Sequence, residues 1–173
     1  EFLKNKKNQY PNIKIVIDPV MYAKNGAALM DIKNMSSLIE HILPLADILT
    51  PNIAEAKHLS NINIKSIEDM KKAAKEIFNH SKTAVLIKGG DSFDALDILY
   101  DGKSFKMFET PKISTKNTHG TGCTFSSAIA ANLALKNSLE NSIKIAKDYI
   151  FEAIKNAPNL GSGNGPVNHF FKF

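Results

Sequence analysis

Residues 117–124 read Asn-Thr-His-Gly-Thr-Gly-Cys-Thr and stand directly before an apolar, small-residue run that continues to about Leu135. This pattern predicts a helix that has Thr121 as its cap and one apolar side. Gly120 and Gly122 let the backbone approach another molecule closely, and the first turn of a helix presents unpaired N–H groups and a positive dipole end. The stretch therefore predicts a site for an anion, and a phosphate group is its natural occupant.

Three further motifs each follow a predicted buried strand. They are Asp18-Pro19-Val20-Met21, Thr50-Pro51-Asn52-Ile53-Ala54-Glu55-Ala56 and Lys88-Gly89-Gly90. The strands that precede them, at 13–18, 47–50 and 83–88, are short and apolar, as expected for parallel strands that are buried on both faces. Because ligands gather beyond the carboxyl ends of parallel strands, we expect all four motifs to meet at one edge of a sheet.

The segments between these strands have the periodicity of helices. Helices are predicted at 36–43 and 52–60 and after the capping residues Ser66 and Ser138. Runs at 95–100 and 104–108 flank Asp101-Gly102, which is a strong signal for an antiparallel hairpin. Without an internal repeat or a linker, residues 1–173 are predicted to form a single α/β domain with a mostly parallel sheet.

Composition excludes several classes of protein. The 173 residues are 43% hydrophobic and 23% charged, which suits one globular domain with an adequate core. No apolar run approaches the roughly 18 residues that a membrane span needs, so no membrane partner is expected. The single cysteine, Cys123, cannot form an internal disulfide, and we expect a free thiol in the reducing cytoplasm.

The charge of the chain gives no sign of a nucleic-acid partner. The formal net charge is +5, from 22 basic residues against 17 acidic ones, and every basic residue is a lysine. Without arginine for bidentate recognition, and without aromatic residues interleaved for stacking, the lysines are predicted to form a solvated surface.

The side chains at the predicted sheet edge suit phosphoryl transfer. Asp18 and Glu55 are carboxylates of the kind that hold hydrated Mg²⁺, and Lys88 can neutralise a moving phosphoryl group. Each residue also has an ordinary alternative. Asp18 and Asn52 could bond turn backbones. Glu55 could be a solvated acid in the first turn of a helix, and Lys88 could reach solvent from a strand end.

Together the motifs resemble the hydroxymethylpyrimidine/phosphomethylpyrimidine kinase family of thiamine biosynthesis, within the ribokinase-like superfamily. The resemblance runs from about Ile13 to the end of the chain and includes a terminal Gly-x-Gly-x-Gly-Pro-Val-x-His motif at 161–169. The Gly-Thr-Gly-Cys sequence at 120–123 discriminates, because most ribokinase-like relatives carry Gly-Thr-Gly-Asp there. The resemblance implies a three-layer α/β/α fold and ATP-dependent phosphorylation, with Mg²⁺, of 4-amino-5-hydroxymethyl-2-methylpyrimidine and then of its monophosphate.

The resemblance also implies roles for residues 120–123, which we call the anion turn. Cys123 takes the position of the catalytic base and borders the substrate. Gly120, Thr121 and Gly122 form the anion hole for the transferred phosphoryl group. Val20 faces the pyrimidine ring.

The remaining implied roles concern the nucleotide and the metal. Glu55 and Asn52 order Mg²⁺ and its waters, and Asp18 assists electrostatically. Lys88 and Thr118 face the nucleotide phosphates. The tail from Gly163 to Val167 lies on the adenine side.

The sequence departs from the family at its beginning. The family's opening segment, with a glycine-rich Asp-Pro-Ser-Gly-Gly-Ala-Gly motif and strands that supply much of the pyrimidine pocket, has no counterpart here. The resemblance therefore implies the C-terminal portion of a ribokinase-like kinase, with an uncovered sheet edge and an incomplete pocket. Either the chain is a fragment of a longer kinase or a partner supplies the rest, and a homodimer is compatible with both. We expect weak or no kinase activity from this chain alone.

Two other functions remain open at this point. Pyridoxal or pyridoxine kinase is the nearest alternative activity, because related kinases accept that ring. A non-catalytic nucleotide-binding protein is the alternative from a different class.

Overall fold

The computed structural model describes residues 1–22 and 27–172. The α-helices of this part are α1 (Phe2–Gln9), α2 (Met35–Ser37), α3 (Ile53–Ser60), α4 (Ile67–Ser81), α5 (Thr121–Ala134) and α6 (Leu139–Lys155). The strands are β1 (Val16–Ile17), β2 (Ile48–Leu49), β3 (Ala84–Lys88), β4 (Asp97–Tyr100) and β5 (Phe105–Phe108). Shorter helical turns lie at Ile32–Asn34, Leu38–Ile42, Leu43–Leu45 and Gly90–Phe93. None of the helices in these ranges is both long enough and apolar enough to cross a membrane.

The described strands form one sheet in the order β1-β2-β3-β4-β5. The first three strands are parallel, with Val16 opposite Ile48 and Ile48 opposite Ala84. Strands β4 and β5 are antiparallel to each other and β4 is antiparallel to β3. The predicted hairpin is therefore confirmed, and the described sheet is mixed, with its parallel part confined to β1, β2 and β3.

Helices cover both faces of the sheet, as a three-layer α/β/α fold requires. On one face, Leu86 packs in a buried cluster with Ile129 of α5 and Ile143 of α6. On the other face, Val85 packs in a second cluster with Met70 of α4 and with residues of α3. Because successive strand residues point to opposite faces, an almost wholly apolar β3 is what burial on both sides demands.

The capping signals place the long helices as the sequence predicts. The Ser66 hydroxyl accepts a hydrogen bond from the Asp69 N–H at 3.1 Å, and the Ser138 hydroxyl accepts one from the Asn141 N–H at 3.2 Å. The helix predicted at 36–43 takes a different form. Its α-helical turn passes into a π-helical turn and then a 3₁₀ turn, because Pro44 lacks the N–H that would continue an α-helical ladder.

Two features near the beginning of the chain differ from the prediction. Helix α1 was not predicted, because its lysine-rich sequence has no apolar stripe; only Leu3 packs against the core, and the helix has no buried residue. Strand β1 covers two residues rather than the predicted 13–18, since among the described residues it pairs only with β2 and only over Val16 and Ile17. The amphipathic periodicity used for the other elements could find neither feature.

The hairpin turn supplies a test of the fold. Gly102 has a φ of 91°, and a Cβ on it would lie 2.3 Å from Cζ of Phe78. We expect Gly102→Ala to lower the free energy of unfolding by about 1–3 kcal/mol, because both the left-handed backbone and the displaced ring cost energy. Thermal unfolding should show the loss beside a Gly163→Ala control, since a Cβ on Gly163 would meet no atom within 4 Å. Equal Tm values for the two variants would contradict the predicted loss of stability in Gly102→Ala.

Candidate functional site

The carboxyl ends of the parallel strands bring two oppositely charged side chains together. Lys88, the last residue of β3, places its Nζ 2.7 Å from Oδ1 of Asp18, which directly follows β1. The two side chains are only 12% and 14% exposed. The ion pair is therefore shielded from solvent and orients the ammonium group, so Lys88 does not simply reach solvent from a strand end.

The anion turn lies directly against this ion pair. A Cβ on Gly122 would lie 3.2 Å from Nζ of Lys88 and 3.9 Å from Oδ2 of Asp18. Glycine at this position is what allows the first turn of α5 to approach the two charged groups so closely. The N–H groups at the start of α5, of which that of Thr121 also donates to the Thr118 carbonyl at 3.4 Å, thus lie near a lysine ammonium, which is an arrangement that binds anions.

The start of α5 differs from the prediction in one respect. Thr121 does not cap the helix; its hydroxyl donates a hydrogen bond to the carbonyl oxygen of Thr118 at 2.8 Å. The capping residue is Gly120, whose φ of 85° lies in the left-handed region and which offers no side chain to bond. Because the backbone turns at Gly120, Thr121 is already inside the first helical turn, where a hydroxyl cannot cap.

Glu55 and Asn52 lock the start of α3. Oδ1 of Asn52 accepts a hydrogen bond from the Glu55 N–H at 2.9 Å, and Oε2 of Glu55 accepts one from the Asn52 N–H at 2.8 Å. This reciprocal pair is a capping box. Asn52 therefore does bond the turn backbone, whereas Glu55 is 3% exposed and is not a solvated acid. Burial raises the pKa of Glu55, against the opposing effects of the Asn52 N–H and the positive charge of Lys88.

A pair of hydroxyl groups links the charged pair to the anion turn. Oγ1 of Thr50 lies 2.9 Å from Oγ of Ser126 and 3.4 Å from Oδ1 of Asp18. The Ser126 hydroxyl donates to the carbonyl oxygen of Gly122 at 3.0 Å. Thr50 was visible in the sequence as part of a strand-end motif. Ser126 gave no signal of its own, because a serine inside a small-residue helix is common.

A cavity of about 540 Å³ opens beside the anion turn. Its polar lining includes Asn52, Lys88, Gly89, Thr118, Thr121 and Gly122. Its apolar lining includes Ile113, Phe125, Ile150, Phe151 and Ile154. A cavity of this size that combines an apolar wall with a few convergent polar groups is typical of a small-molecule site. Phe125, Ile150 and Ile154 belong to the apolar stripes that predict core residues, and Ile113 and Phe151 gave no signal of their own.

Gly163 and Val167 are not among the residues that line this cavity, and their place on the adenine side stays a prediction. Val167 is 3% exposed and packs in the core, and Gly163 is exposed and is not among the cavity residues. The reason is a backbone pairing: the His119 N–H donates to the Gly165 carbonyl, and the Val167 N–H donates to the His119 carbonyl. The tail is therefore bonded to the segment that leads into the anion turn.

Cys123 and Val20 lie outside the cavity as well. Cys123 is exposed and borders a separate cleft with Ser127, Tyr149 and His169. Since neighbouring helix residues are about 100° apart around the axis, the turn can present Gly122 to the cavity and Cys123 to another side. Val20 is 38% exposed, in a tight turn closed by its N–H to the Asp18 carbonyl at 2.8 Å.

The site fits Mg²⁺ in its usual mode of binding. Within the described ranges, no cluster of three or more His, Cys, Asp and Glu side chains could hold a metal ion without other ligands. Mg²⁺ commonly uses only one or two carboxylates, keeps several waters and takes the rest of its ligands from substrate phosphates. Asp18 and Glu55 supply two such carboxylates next to the anion turn, and their negative charges act on each other.

Comparison with known proteins identifies the family. Residues 1–168 match the family described as phosphomethylpyrimidine kinase. The chain belongs to the phosphomethylpyrimidine kinase family. The match begins at residue 1, earlier than the boundary near Ile13 that the sequence predicts, so the family's sequence pattern includes helix α1.

Individual proteins that are similar to this member of the phosphomethylpyrimidine kinase family support the same assignment. The chain is 48% identical over 166 residues to thiamine biosynthesis bifunctional protein ThiED of Geobacter sulfurreducens, covering 95% of this chain and 34% of that protein. It is 38% identical over 173 residues to the hydroxymethylpyrimidine/phosphomethylpyrimidine kinase of Bacillus subtilis, covering 98% and 64%. The structure of Staphylococcus aureus pyridoxal kinase in complex with AMP-PCP and pyridoxal matches with a TM-score of 0.84 and 36% identity, covering 96% and 62%.

These matches establish two facts. The ribokinase-like α/β fold is confirmed, because the solved kinase superposes over nearly all of this chain. The chain spans less than two thirds of the length of each of these relatives.

Glu55 generates a prediction about pH. Its pKa in the fold is raised by burial, so ionisation of this carboxyl costs stability; the cost is absent below the unfolded pKa and is complete above the folded one. Glu55→Gln keeps an oxygen for the Asn52 N–H and removes the charge. We therefore expect the variant to have a higher Tm than the wild type near neutral pH and an equal Tm near pH ~4.

The control for this measurement is Glu109→Gln, because Glu109 is an exposed carboxylate. Its Tm should follow the wild type at each pH. A Glu55→Gln variant that is less stable than the wild type at neutral pH, or a difference that does not change with pH, would show that burial is not the dominant effect on this carboxyl.

Proposed function

We propose that this chain forms the nucleotide-binding and Mg²⁺-binding part of a kinase that phosphorylates 4-amino-5-hydroxymethyl-2-methylpyrimidine and then its monophosphate in thiamine diphosphate biosynthesis. The observation that carries the proposal is the close approach of Gly122 to Lys88 at the wall of a cavity of about 540 Å³. A Cβ added to this glycine would lie 3.2 Å from Nζ of Lys88. The family match and the names of the relatives support the choice of reaction.

ATP is the proposed occupant of the cavity. Its phosphates lie toward Lys88, Thr118 and the start of α5, where positive charge and backbone N–H groups converge. The base packs on the apolar wall that includes Ile113 and Phe151. The complex of the related pyridoxal kinase with AMP-PCP supports a nucleotide as ligand.

The chemistry assigned to the protein is positioning and electrostatic stabilisation. The first-turn N–H groups at Thr121 and Gly122 receive the charge that develops on the transferred phosphoryl group, together with the Lys88 ammonium that Asp18 orients. Mg²⁺, when bound, neutralises phosphate charge beside Asp18 and Glu55. Cys123 lies on another side of the same turn, and we assign its sulfur to accept the proton of the substrate hydroxyl.

The cellular setting is part of the same proposal. The thiol of Cys123 is free and exposed, which suits the reducing cytoplasm. The partners proposed are ATP, the pyrimidine and, as for many soluble enzymes, a second copy of the whole enzyme. No nucleic-acid partner is proposed.

Pyridoxal phosphorylation is the second candidate activity. It is favoured by one observation, the close structural match to a kinase whose complex contains pyridoxal. The two activities differ in the ring of the substrate, which is proposed to bind on the Cys123 side of the anion turn. A panel of the pyrimidine alcohol, its monophosphate and pyridoxal, with ATP consumption as the readout, separates them.

The anion turn is tested by adding one methyl group. Gly122→Ala would place a Cβ 3.2 Å from Nζ of Lys88 and force the ammonium or the turn to shift. We expect ATP binding in the presence of Mg²⁺, measured by calorimetry, to weaken by about 100-fold, because aligned donors lose their geometry. Ser37→Ala is the control and should bind as the wild type does, because Ser37 is exposed and does not line the cavity. Unchanged binding by Gly122→Ala would contradict the proposed phosphate site.

Turnover is tested with the chain alone and in a chimera. The purified chain is expected to bind ATP and to phosphorylate the pyrimidine alcohol weakly or not at all. A chimera in which residues 1–168 replace the matching part of the Bacillus subtilis relative should phosphorylate both pyrimidine substrates. Cys123→Ala in that chimera should lower kcat by about 100-fold, the loss of a general base, with ATP affinity retained. A chimera active on pyridoxal alone would reverse the assignment of substrate.

A further inference from the structure

A second buried ion pair lies on the wall of the same cavity. Nζ of Lys147 in α6 is 2.5 Å from Oδ2 of Asp97 in β4, and the two side chains are 8% and 4% exposed. The other carboxylate oxygen of Asp97 accepts a hydrogen bond from the Gly89 N–H at 3.0 Å. Lys147 also donates to the carbonyl oxygen of Ala95. The pair thus bonds to both ends of the segment 89–96.

This segment has an unfavourable backbone. Asp94 and Ala95 have φ values of 48° and 61°, so two successive residues lie in the left-handed region. This conformation costs energy for residues that carry a Cβ. A Cβ on Gly89 would lie 2.0 Å from the carbonyl oxygen of Leu96, which shows how tightly the two ends approach. A strained conformation persists only where surrounding contacts hold it. Lys147 and Asp97 supply such contacts at both ends.

The position of the segment connects it to the site. Asp97 lies directly opposite Lys88 in the β3–β4 ladder, so its carboxylate holds the turn that begins one residue after the phosphate-binding lysine. Gly90, Asp91 and Ser92 of the segment line the cavity, as do both members of the pair. Burial of two charges is costly, and apolar residues of similar volume commonly stabilise a fold as much as a buried ion pair does. A role in shaping the cavity wall accounts for this pair better than a role in stability alone.

We propose that Lys147 and Asp97 are a positioning pair for nucleotide binding. They hold the segment 89–96 in the shape that forms one wall of the cavity. The identity of the ligand rests on the proposed function. The pair acts through the segment and not on the transferred phosphoryl group, so its loss should change nucleotide affinity much more than kcat.

The test uses a variant that leaves no buried charge unpaired. In Asp97→Asn with Lys147→Met, the Asn oxygen still accepts from the Gly89 N–H, while the tie to Ala95 is lost. We expect the Kd for ATP, measured by calorimetry on this chain, to rise about tenfold or more. Amide hydrogen exchange should accelerate in the segment and stay unchanged in α4. In the chimera, KM for ATP should rise by the same factor and kcat should stay within about twofold.

Two further variants complete the test. Lys144→Met is the matched control, because Lys144 is an exposed lysine of the same helix that does not line the cavity, and it should leave ATP binding unchanged. Lys147→Arg keeps the charge, and this single variant should retain slow amide exchange in the segment and most of the affinity for ATP. If the double variant does not fold, Lys147→Gln alone, whose amide NH2 can still donate to Oδ2 of Asp97 but carries no charge, should give a smaller change in the same direction.

The outcomes separate the two proposals. A wild-type chain that does not bind ATP would overturn the proposed function, whereas exchange in the segment would still report on the positioning role. A wild-type chain that binds ATP, with a folded double variant of equal affinity and equal exchange, would overturn the positioning pair. A fall in kcat at constant KM would also overturn it, because that result would assign the pair to the phosphoryl step.

Discussion

The ion pair between Lys88 and Asp18 is the contact on which the arrangement of the site depends. It joins the ends of two strands that are separated by β2, and the first turn of α5 comes so close that a Cβ on Gly122 would lie 3.2 Å from Nζ of Lys88. The ammonium is therefore held beside the first turn of α5. An anion that enters this space meets positive charge that needs no rearrangement, which is what electrostatic catalysis requires.

The site is also a place where the fold gives up stability. Glu55 is an acid buried at 3% exposure, and burial disfavours its charged form. Asp94 and Ala95 keep a left-handed backbone beside the cavity. Such costs gather at functional sites, because the geometry that binds a ligand differs from the geometry that best stabilises the empty protein. A bound cation would relieve part of the cost of the buried Glu55 charge.

Much of the fold could be predicted because its signals are local. Ser66 and Ser138 cap the helices that follow them, and Asp101-Gly102 forms the hairpin turn. Each of these depends on residues a few positions apart. Helix α1 escaped prediction because nothing in its own sequence favours it over a polar loop. The candidate site was predicted as far as strand ends could show it, since parallel strands must end at one edge.

The sequence by itself determined the glycine turn before α5, the hairpin turn at Asp101-Gly102 and the order of the motifs along one sheet edge, because each follows from neighbouring residues or from chain direction. Only the tertiary structure decided that Val167 is a core residue and that Lys147 meets Asp97, 50 residues away. The physical reason is that contacts between residues far apart in the sequence depend on how all the side chains between the helices and the sheet pack together. A local sequence pattern carries no information about that packing.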